Sequence, residues 1–166
     1  MVNSLEKKKT VAESRAEIAQ VMMPSDANPA GNVHGGVIMK MIDEAAAIPA
    51  LRHSQKVVVT ASVDKIDFIY PVYVGNLVVA KASVNYVGKT SMEIGVRVES
   101  ENLKSGKKLH VNSAYLTYVA LDPRGRPTEI PPIYPETPEE KRRYEDAIKR
   151  RQARLEMRTR HSHEKK

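Results

Sequence analysis

NPAGNVHGGVIMKMIDEAAA occupies residues 28–47 and contains the most apolar run of the chain. From position 37 to about position 51 the residues are apolar almost all round, which predicts a buried helix rather than a surface helix. The pair Gly35-Gly36 forms the entrance to this helix, and Pro49 is expected to bend or end it.

Five segments have the composition of β-strands, one before the predicted helix and four after it. They are AEIAQVMM (16–23), KVVVTASVDKIDF (56–68), NLVVAKASVNYV (76–87), SMEIGVRVES (91–100) and KKLHVNSAYLTYVAL (107–121). The fourth alternates cleanly, with one face formed by Met92, Ile94, Val96 and Val98 and the other by Glu93, Arg97 and Glu99. The fifth is expected to have a face formed by Leu109, Val111, Tyr115 and Val119. Short turns join the last four segments, so we expect an antiparallel sheet with one helix against it, an α+β fold.

A last helix is predicted after the proline-rich stretch at residues 122–135. Thr137 is a suitable N-cap, Pro138 suits the first helical position, and Glu140 completes a capping box. We therefore expect a flexible N-terminal segment at residues 1–14, one domain at residues 15–136, and a basic C-terminal helix and tail at residues 137–166.

The composition excludes several classes of protein. Cysteine is absent from the 166 residues, which rules out disulfides, thiolate metal sites and cysteine nucleophiles. No run is long enough for a transmembrane helix and no signal-peptide pattern is present, so we expect a cytoplasmic protein without membrane insertion. The net charge of +7 is concentrated near the C-terminus. A solvated basic helix explains it most simply, with a phosphate-bearing ligand or nucleic acid as alternatives.

Several motifs with known chemistry are incomplete. GKT at residues 88–90 is similar to the end of a phosphate-binding loop, but Ser83 replaces the required glycine and a strand follows. There is no G-x-S-x-G elbow, and the histidines show metal-ligand spacing only in a weak pair in the tail, so neither a serine esterase nor a metal site is expected. With one Phe and no Trp, a nucleic-acid partner is not expected either.

Two acids, Asp43 and Glu44, lie inside the apolar run. Burial of an unpaired carboxylate is costly, so such an acid is a candidate for function. The alternative is that it reaches solvent at the helix edge or pairs with Lys40. A helix start built from two glycines exposes N–H groups and the positive end of the helix dipole, which together can hold an oxyanion.

The spacing of these groups predicts a homodimer. Gly36 and Asp43 are separated by about 10 Å along a helix axis, too far for the acid to reach a carbonyl held at the start of its own helix. In a two-fold dimer with antiparallel helices, each acid instead approaches the helix start of the partner. We therefore predict two composite sites per dimer.

Three stretches carry a resemblance to a known family: residues 24–53, residues 58–68 (VVTASVDKIDF) and residues 88–100 (GKTSMEIGVRVES). Together they resemble the hotdog-fold acyl-CoA thioesterases, in particular the bacterial and cytosolic long-chain acyl-CoA hydrolases. The resemblance implies a curved antiparallel sheet wrapped around a long central helix, and dimers that assemble into a trimer of dimers. It also implies hydrolysis of medium- or long-chain fatty acyl-CoA to free fatty acid and coenzyme A, without a metal or other cofactor.

Asn28 and Asp43 match the catalytic positions of that family. Asp43 is expected to act as a general base for a water or as a nucleophile through an anhydride, two roles that the sequence does not separate. Asn28 is expected to orient the water or to donate to the thioester oxygen, unless it is only a loop or cap residue. Gly35 and Gly36 are expected to supply the oxyanion donors, unless they only form a tight turn.

Six more residues are predicted to contact the substrate. His34 is expected to line the pocket, Lys89, Ser91 and Arg52 to contact the phosphates of coenzyme A, and Thr60 and Ser62, on one strand face, to touch the pantetheine arm. The alternative for the basic residues is that they are solvated surface cations. The alternative for Thr60 and Ser62 is that they pack against the helix. Two other functions stay open. A hotdog dehydratase needs a histidine where Ile48 stands, and a non-catalytic acyl-CoA sensor leaves Asn28 and Asp43 idle.

Overall fold

A curled five-stranded antiparallel sheet and two α-helices dominate the computed structural model, which describes residues 9–163 and the side chains of residues 9–157. The elements are β1 (Lys9–Thr10), β2 (Ala16–Val21), α1 (Gly35–Ser54), β3 (Val57–Val63), β4 (Leu77–Val87), β5 (Ser91–Glu101), β6 (Lys108–Leu121), β7 (Ile133–Tyr134) and α2 (Pro138–His163). The strand order is β2-β4-β5-β6-β3, which leaves β2 and β3 at the edges. The predicted α+β fold, with the sheet wrapped around a long helix, is confirmed.

Helix α1 packs against one face of the sheet along only part of its circumference. Ile38, Met41, Ile42, Ala45 and Ala46 are buried, and the two alanines let the helix approach the strands closely. The prediction that this helix is buried all round is wrong for the single chain. Because the sheet covers only one side, the opposite side is exposed, with an apolar surface that includes Met39 and Leu51.

The helix is longer at both ends than predicted. It begins at Gly35 and continues through Pro49 to Ser54. A proline removes one N–H from the helical ladder, but Pro49 is buried here, and burial of its ring offsets part of that loss. Helix α1 ends where Gln55 adopts the left-handed conformation (φ 54°) and donates its N–H to the Leu51 carbonyl (2.8 Å).

A β-bulge changes the face assignment of β6. Val98 pairs with Asn112 and Glu99 pairs with His110, so the residue between them, Val111, is extra. As a result, Leu109 lies on the α1 side of the sheet, whereas Tyr115 and Val119 lie on the other side. The predicted shared face of Leu109, Val111, Tyr115 and Val119 is therefore wrong. From the bulge onward, the residues of β6 on the α1 side are Asn112, Ala114, Leu116, Tyr118 and Ala120.

Strand β3 also contains a bulge and ends earlier than predicted. Thr60 pairs with Tyr118 and Ser62 pairs with Thr117, which makes Ala61 the extra residue. Directly opposed residues share a face, so Thr60 points toward α1 and Ser62 points away from it. The prediction that these two side chains share a face is wrong. Regular pairing stops at Val63, and residues 64–69 follow β6 only through isolated hydrogen bonds.

The first and last described elements pack onto the domain. β1 pairs in parallel with β7, and Val11 and Ser14 are buried. Residues 9–14 are therefore more ordered than the flexible segment that was predicted for residues 1–14. Positions 1–8 of that segment lie outside the described residues. At the start of α2, Thr137 and Glu140 exchange the two hydrogen bonds of a capping box, as predicted. Helix α2 packs on the face of the sheet opposite to α1.

Candidate active site

The Asp43 carboxylate is held by two hydroxyl groups from the sheet. Thr60 Oγ1 donates to Asp43 Oδ1 at 2.8 Å, and the Tyr118 hydroxyl lies 2.7 Å from the same oxygen. The Tyr118 hydroxyl is also 2.9 Å from the backbone oxygen of Asp43. Asp43 itself is on the exposed side of α1, so its carboxylate is both fixed and accessible in the single chain. Glu44 pairs with Lys40 (3.6 Å), which was the non-functional alternative given for the two acids.

Tyr118 was not identified from the sequence, because the bulge at Val111 decides which face of the sheet its side chain is on. Alternation counted from Leu109 places Tyr118 on the wrong face, and only the observed register points it at α1. Burial raises the pKa of Tyr118, a hydrogen bond with Thr60 lowers it in part, and the Asp43 carboxylate raises it further. The hydroxyl therefore stays protonated at neutral pH and is available as a donor.

The start of α1 is capped by His34. His34 Nδ1 accepts the N–H of Gly36 at 3.0 Å, so the prediction that Gly36 offers a free oxyanion donor does not agree with this geometry. The imidazole takes this N–H because it folds back over the first turn as an N-cap. Among the described residues the Gly35 N–H has no acceptor, as is usual for the first residue of a helix. Gly35 is thus the glycine that can serve a ligand.

A cavity of ≈ 320 Å³ that is open to solvent and lined mostly by apolar residues adjoins Gly35. Its lining includes Ile38 of α1 and the segment Phe68–Val72 that follows β3. The Phe68 ring is 3.6 Å from the position that a Cβ would take at Gly35, so the absence of a side chain there keeps the helix start open toward the cavity. The described wall of this cavity does not include His34, whose predicted role in lining a substrate pocket stays a prediction.

Asn28 lies in the loop before α1, where its side chain supports the loop. Its Oδ1 accepts the N–H of Ala30 (2.9 Å), and its backbone carbonyl accepts the N–H of Gly31 (3.0 Å). This is an Asx-turn, the structural role that was the alternative for Asn28. The turn uses only the amide oxygen, so a role of the Asn28 NH₂ group toward substrate stays a prediction.

Apart from Thr60, the residues predicted to contact coenzyme A make no hydrogen bond or ion pair with Asp43. Arg52 donates to the Arg15 carbonyl (2.6 Å), and Lys89 is exposed in the β4–β5 turn, 3.5 Å from Glu129. Ser91 begins β5, where it pairs with Val119. Thr60 binds Asp43. The single chain therefore shows Thr60 in contact with the helix, which was the alternative to a contact with the pantetheine arm. The other contacts to coenzyme A stay predictions.

A larger cavity, ≈ 560 Å³, lies on the other side of the sheet beneath α2. Several of its cations already have carboxylate partners, for example Arg143 with Glu139 (2.6 Å) and Arg150 with Glu93 (2.7 Å). Because the sheet separates this cavity from Asp43, its size does not make it the better candidate for the reaction.

The described residues form neither a metal-binding cluster nor a membrane-spanning helix. The described chain contains no group of three His, Asp or Glu side chains placed to hold a metal ion. Within residues 9–163, neither helix combines the length and apolar character needed to cross a bilayer.

The comparisons with known proteins agree with this geometry. Residues 30–107 match the model of the thioesterase superfamily. Protein VdlD of Helicobacter pylori is 42% identical over 151 residues, which cover 91% of this chain and 84% of that protein. A solved hexameric acyl-CoA thioesterase superimposes with a TM-score of 0.88 at 38% identity, covering 91% of this chain and 97% of that one. The chain belongs to the hotdog-fold acyl-CoA thioesterase family.

A second solved family member concerns the site itself. The acyl-CoA hydrolase of Staphylococcus aureus is 35% identical, with a TM-score of 0.85 over 96% of this chain and 100% of its own, and was solved with butyryl coenzyme A, coenzyme A and coenzyme A disulfide. That enzyme was also solved as the variants Asp43→Ala, Thr60→Ala and Asn28→Ala, in its own numbering. The present thioesterase-family chain has the same residue types at the same three numbers.

Proposed function

We propose that this chain hydrolyses medium- and long-chain fatty acyl-CoA to free fatty acid and coenzyme A, with Asp43 as general base or nucleophile. One observation carries the proposal: an exposed carboxylate on the central helix is fixed through Oδ1 by Thr60 and Tyr118. Its other oxygen, Oδ2, accepts no hydrogen bond from any described residue and is therefore open to a water or a thioester carbon. The three variants made in the Staphylococcus aureus enzyme support the choice of Asp43, Thr60 and Asn28.

The site is proposed to be completed by a second copy of the chain. Gly35 and Asp43 lie about 12 Å apart along α1, so one helix cannot supply both groups to one thioester. The exposed side of α1 carries Met39 and Leu51 together with four charged residues, Lys40, Asp43, Glu44 and Arg52. The neighbouring edge strand β3 exposes Val57, Val59 and Val63. An unpaired strand edge with exposed valines, beside a helix face that mixes apolar and charged residues, is suited to burial against an identical surface.

In the proposed dimer, β3 strands pair edge to edge and the α1 helices run antiparallel, so each Asp43 faces the Gly35 N–H of the partner. The acyl chain is proposed to enter the mostly apolar cavity beside Gly35, and the N–H is proposed to stabilise the oxyanion. Since one similar structure is hexameric, we extend the proposal to a trimer of dimers. The absence of a cofactor, of nucleic-acid binding and of membrane insertion, and the cytoplasmic location, stay predictions.

The proposal is tested by thiol release from acyl-CoA of increasing chain length. We expect the wild type to liberate coenzyme A and Asp43→Asn to lower kcat by about 10²- to 10⁴-fold, the usual contribution of a positioned base. Glu44→Gln is the matched control, because it removes the adjacent acid of the same helix, which only pairs with Lys40 on the surface. Its kcat should stay within about twofold of the wild type.

Two outcomes would contradict the proposal. Full activity of Asp43→Asn would show that another group performs the chemistry. A wild type that binds acyl-CoA and liberates no thiol would favour the non-catalytic sensor. Isothermal titration of the same proteins with coenzyme A separates the second outcome from a simple failure to bind.

A further inference from the structure

Two donors from different strands converge on a single oxygen of Asp43. The distances from Oδ1 are 2.8 Å to Thr60 Oγ1 and 2.7 Å to the Tyr118 oxygen. A carboxylate held through one oxygen by two donors has a fixed plane, because rotation about its Cβ–Cγ bond breaks both hydrogen bonds. Oδ2 is then directed consistently toward the exposed side of α1.

The two donors are not equally rigid. Thr60 is exposed on the edge strand β3, next to the bulge at Ala61. Tyr118 is 2% exposed and lies on β6, which is hydrogen-bonded to β5 on one side and to β3 on the other. Its ring is packed among the core residues between sheet and helix. Tyr118 is thus the donor whose position depends least on what happens at the sheet edge.

We propose that Tyr118 is a positioning residue for the reaction: its hydroxyl holds Asp43 Oδ1 so that Oδ2 faces the reacting water or thioester. This inference rests on the proposed thioesterase function. Tyr118 does not touch the substrate in this arrangement and acts only through Asp43. The hydroxyl has no other described side chain to serve on α1, and a phenylalanine would fill the same space in the core.

Kinetics of Tyr118→Phe test the proposal, with Tyr115→Phe as the matched control. Tyr115 is on the same strand but on the opposite face, where its ring lies 3.7 Å below the Arg150 guanidinium. For Tyr118→Phe we expect kcat to fall by about 10- to 100-fold, because a misdirected reactive group loses roughly that much rate. KM should stay within about twofold, since an interaction needed only for the chemical step affects kcat alone. Tyr115→Phe should keep both constants.

The double variant Thr60→Val/Tyr118→Phe adds a sharper readout. If both hydroxyls hold the same oxygen, each single variant keeps one support, and the double variant loses more than the product of the two single losses. Independent, multiplicative losses would overturn the shared-support model. A folded Tyr118→Phe with wild-type kcat, or one whose KM rises as kcat falls, would also overturn it.

The same variants distinguish a failure of the Tyr118 proposal from a failure of the proposed function. If Asp43→Asn is inactive while Tyr118→Phe is fully active, only the role of Tyr118 is refuted. If Asp43→Asn retains wild-type kcat, the proposed function fails first. Should Tyr118→Phe not fold, wild type and Asp43→Asn labelled with ¹³C at tyrosine Cζ decide the matter. One of the seven tyrosine signals must shift between the two proteins, and seven unchanged signals would refute the contact.

Discussion

Arg150, on the C-terminal helix, donates two N–H groups to the carboxylate of Glu93, on the central strand β5, with Nη2 at 2.7 Å from Oε1. Arg154 adds a third donor, 3.0 Å from Glu93 Oε2, and Asn85 a fourth. Alternation correctly predicted that Glu93 lies on the face of β5 opposite to Met92 and Ile94, but α2 covers that face, so this carboxylate is 1% exposed. The cluster is the main polar contact between α2 and the sheet.

We expect Glu93→Ala to destabilise the protein by about 3–5 kcal/mol, because it leaves two largely desolvated arginines without their shared partner. Glu99→Ala is the matched control on the same strand. Glu99 pairs with Lys81 and Arg97, which lower its pKa to about 2, yet all three side chains contact solvent. Its loss should cost less than the loss of Glu93, because solvent screens these partly exposed pairs. Urea denaturation of both variants checks the difference, and equal costs would contradict the importance of burial.

Gly95→Ala should disturb the same cluster from the backbone. A Cβ at Gly95 would lie 2.6 Å from Asn85 Nδ2, and Asn85 is buried and donates to Glu93, so it cannot move without loss of that hydrogen bond. We expect a destabilisation of about 1–3 kcal/mol in thermal or urea unfolding. Gly88→Ala is the control, because its Cβ would meet nothing closer than 3.4 Å. The double variant Gly95→Ala/Asn85→Ala should lose less than the sum of the single losses.

Val59→Lys tests the composite site. A lysine at this exposed position of the edge strand opposes its burial against a second copy. We expect smaller particles in analytical ultracentrifugation, together with loss of thioester hydrolysis, while the circular dichroism of the chain is preserved. Leu103→Lys, an equally exposed apolar residue in the β5–β6 turn, should change neither property. A fully active monomer would refute the shared site.

His53 should make stability pH-dependent. Burial lowers the pKa of His53, the Pro131 carbonyl partly opposes this, and Lys9 lowers it further. The unfolded chain therefore binds the proton more readily, so the contribution of His53 is fully present above pH 6.5 and is lost as the pH falls toward the lower folded pKa. For one proton, the free energy of unfolding changes by at most about 1.4 kcal/mol per pH unit. His53→Gln should remove this part of the slope in urea titrations, whereas His110→Gln should retain it.

The sequence was sufficient for the element types and singled out the acid of the proposed site. Apolar runs, turns and the capping box at Thr137 predicted the α+β fold. Asp43 was proposed from its position in the apolar run and from the family resemblance, and its role stays a proposal. The predictions that failed were those that depend on the exact pairing register of the strands, which one extra residue changes. Neither the bulge at Val111 nor the bulge at Ala61 has a sequence signal comparable to a glycine turn, since both residues suit ordinary strands. Faces were therefore misassigned after each bulge, and Tyr118 was overlooked.

The site details were also limited by competition for hydrogen bonds. Gly36 was expected to have a free N–H, but the preceding His34 folds back and accepts it. In the same way, the amide oxygen of Asn28 is used by its own loop. Local side chain to backbone bonds of this kind depend on the exact course of the loop, which composition and spacing do not specify.

The extra residue Ala61 divides one short strand between two neighbourhoods. Before it, Thr60 contacts the acid of the central helix, and just beyond the end of the strand Asp64 pairs with Arg154 of the C-terminal helix (2.8 Å). We therefore expect substitutions at Thr60 to affect the proposed reaction, and substitutions at Asp64 to affect how the C-terminal helix is anchored. The residues on the two sides of Ala61 can therefore vary independently in sequence, provided that the number of residues between Thr60 and Asp64 does not change.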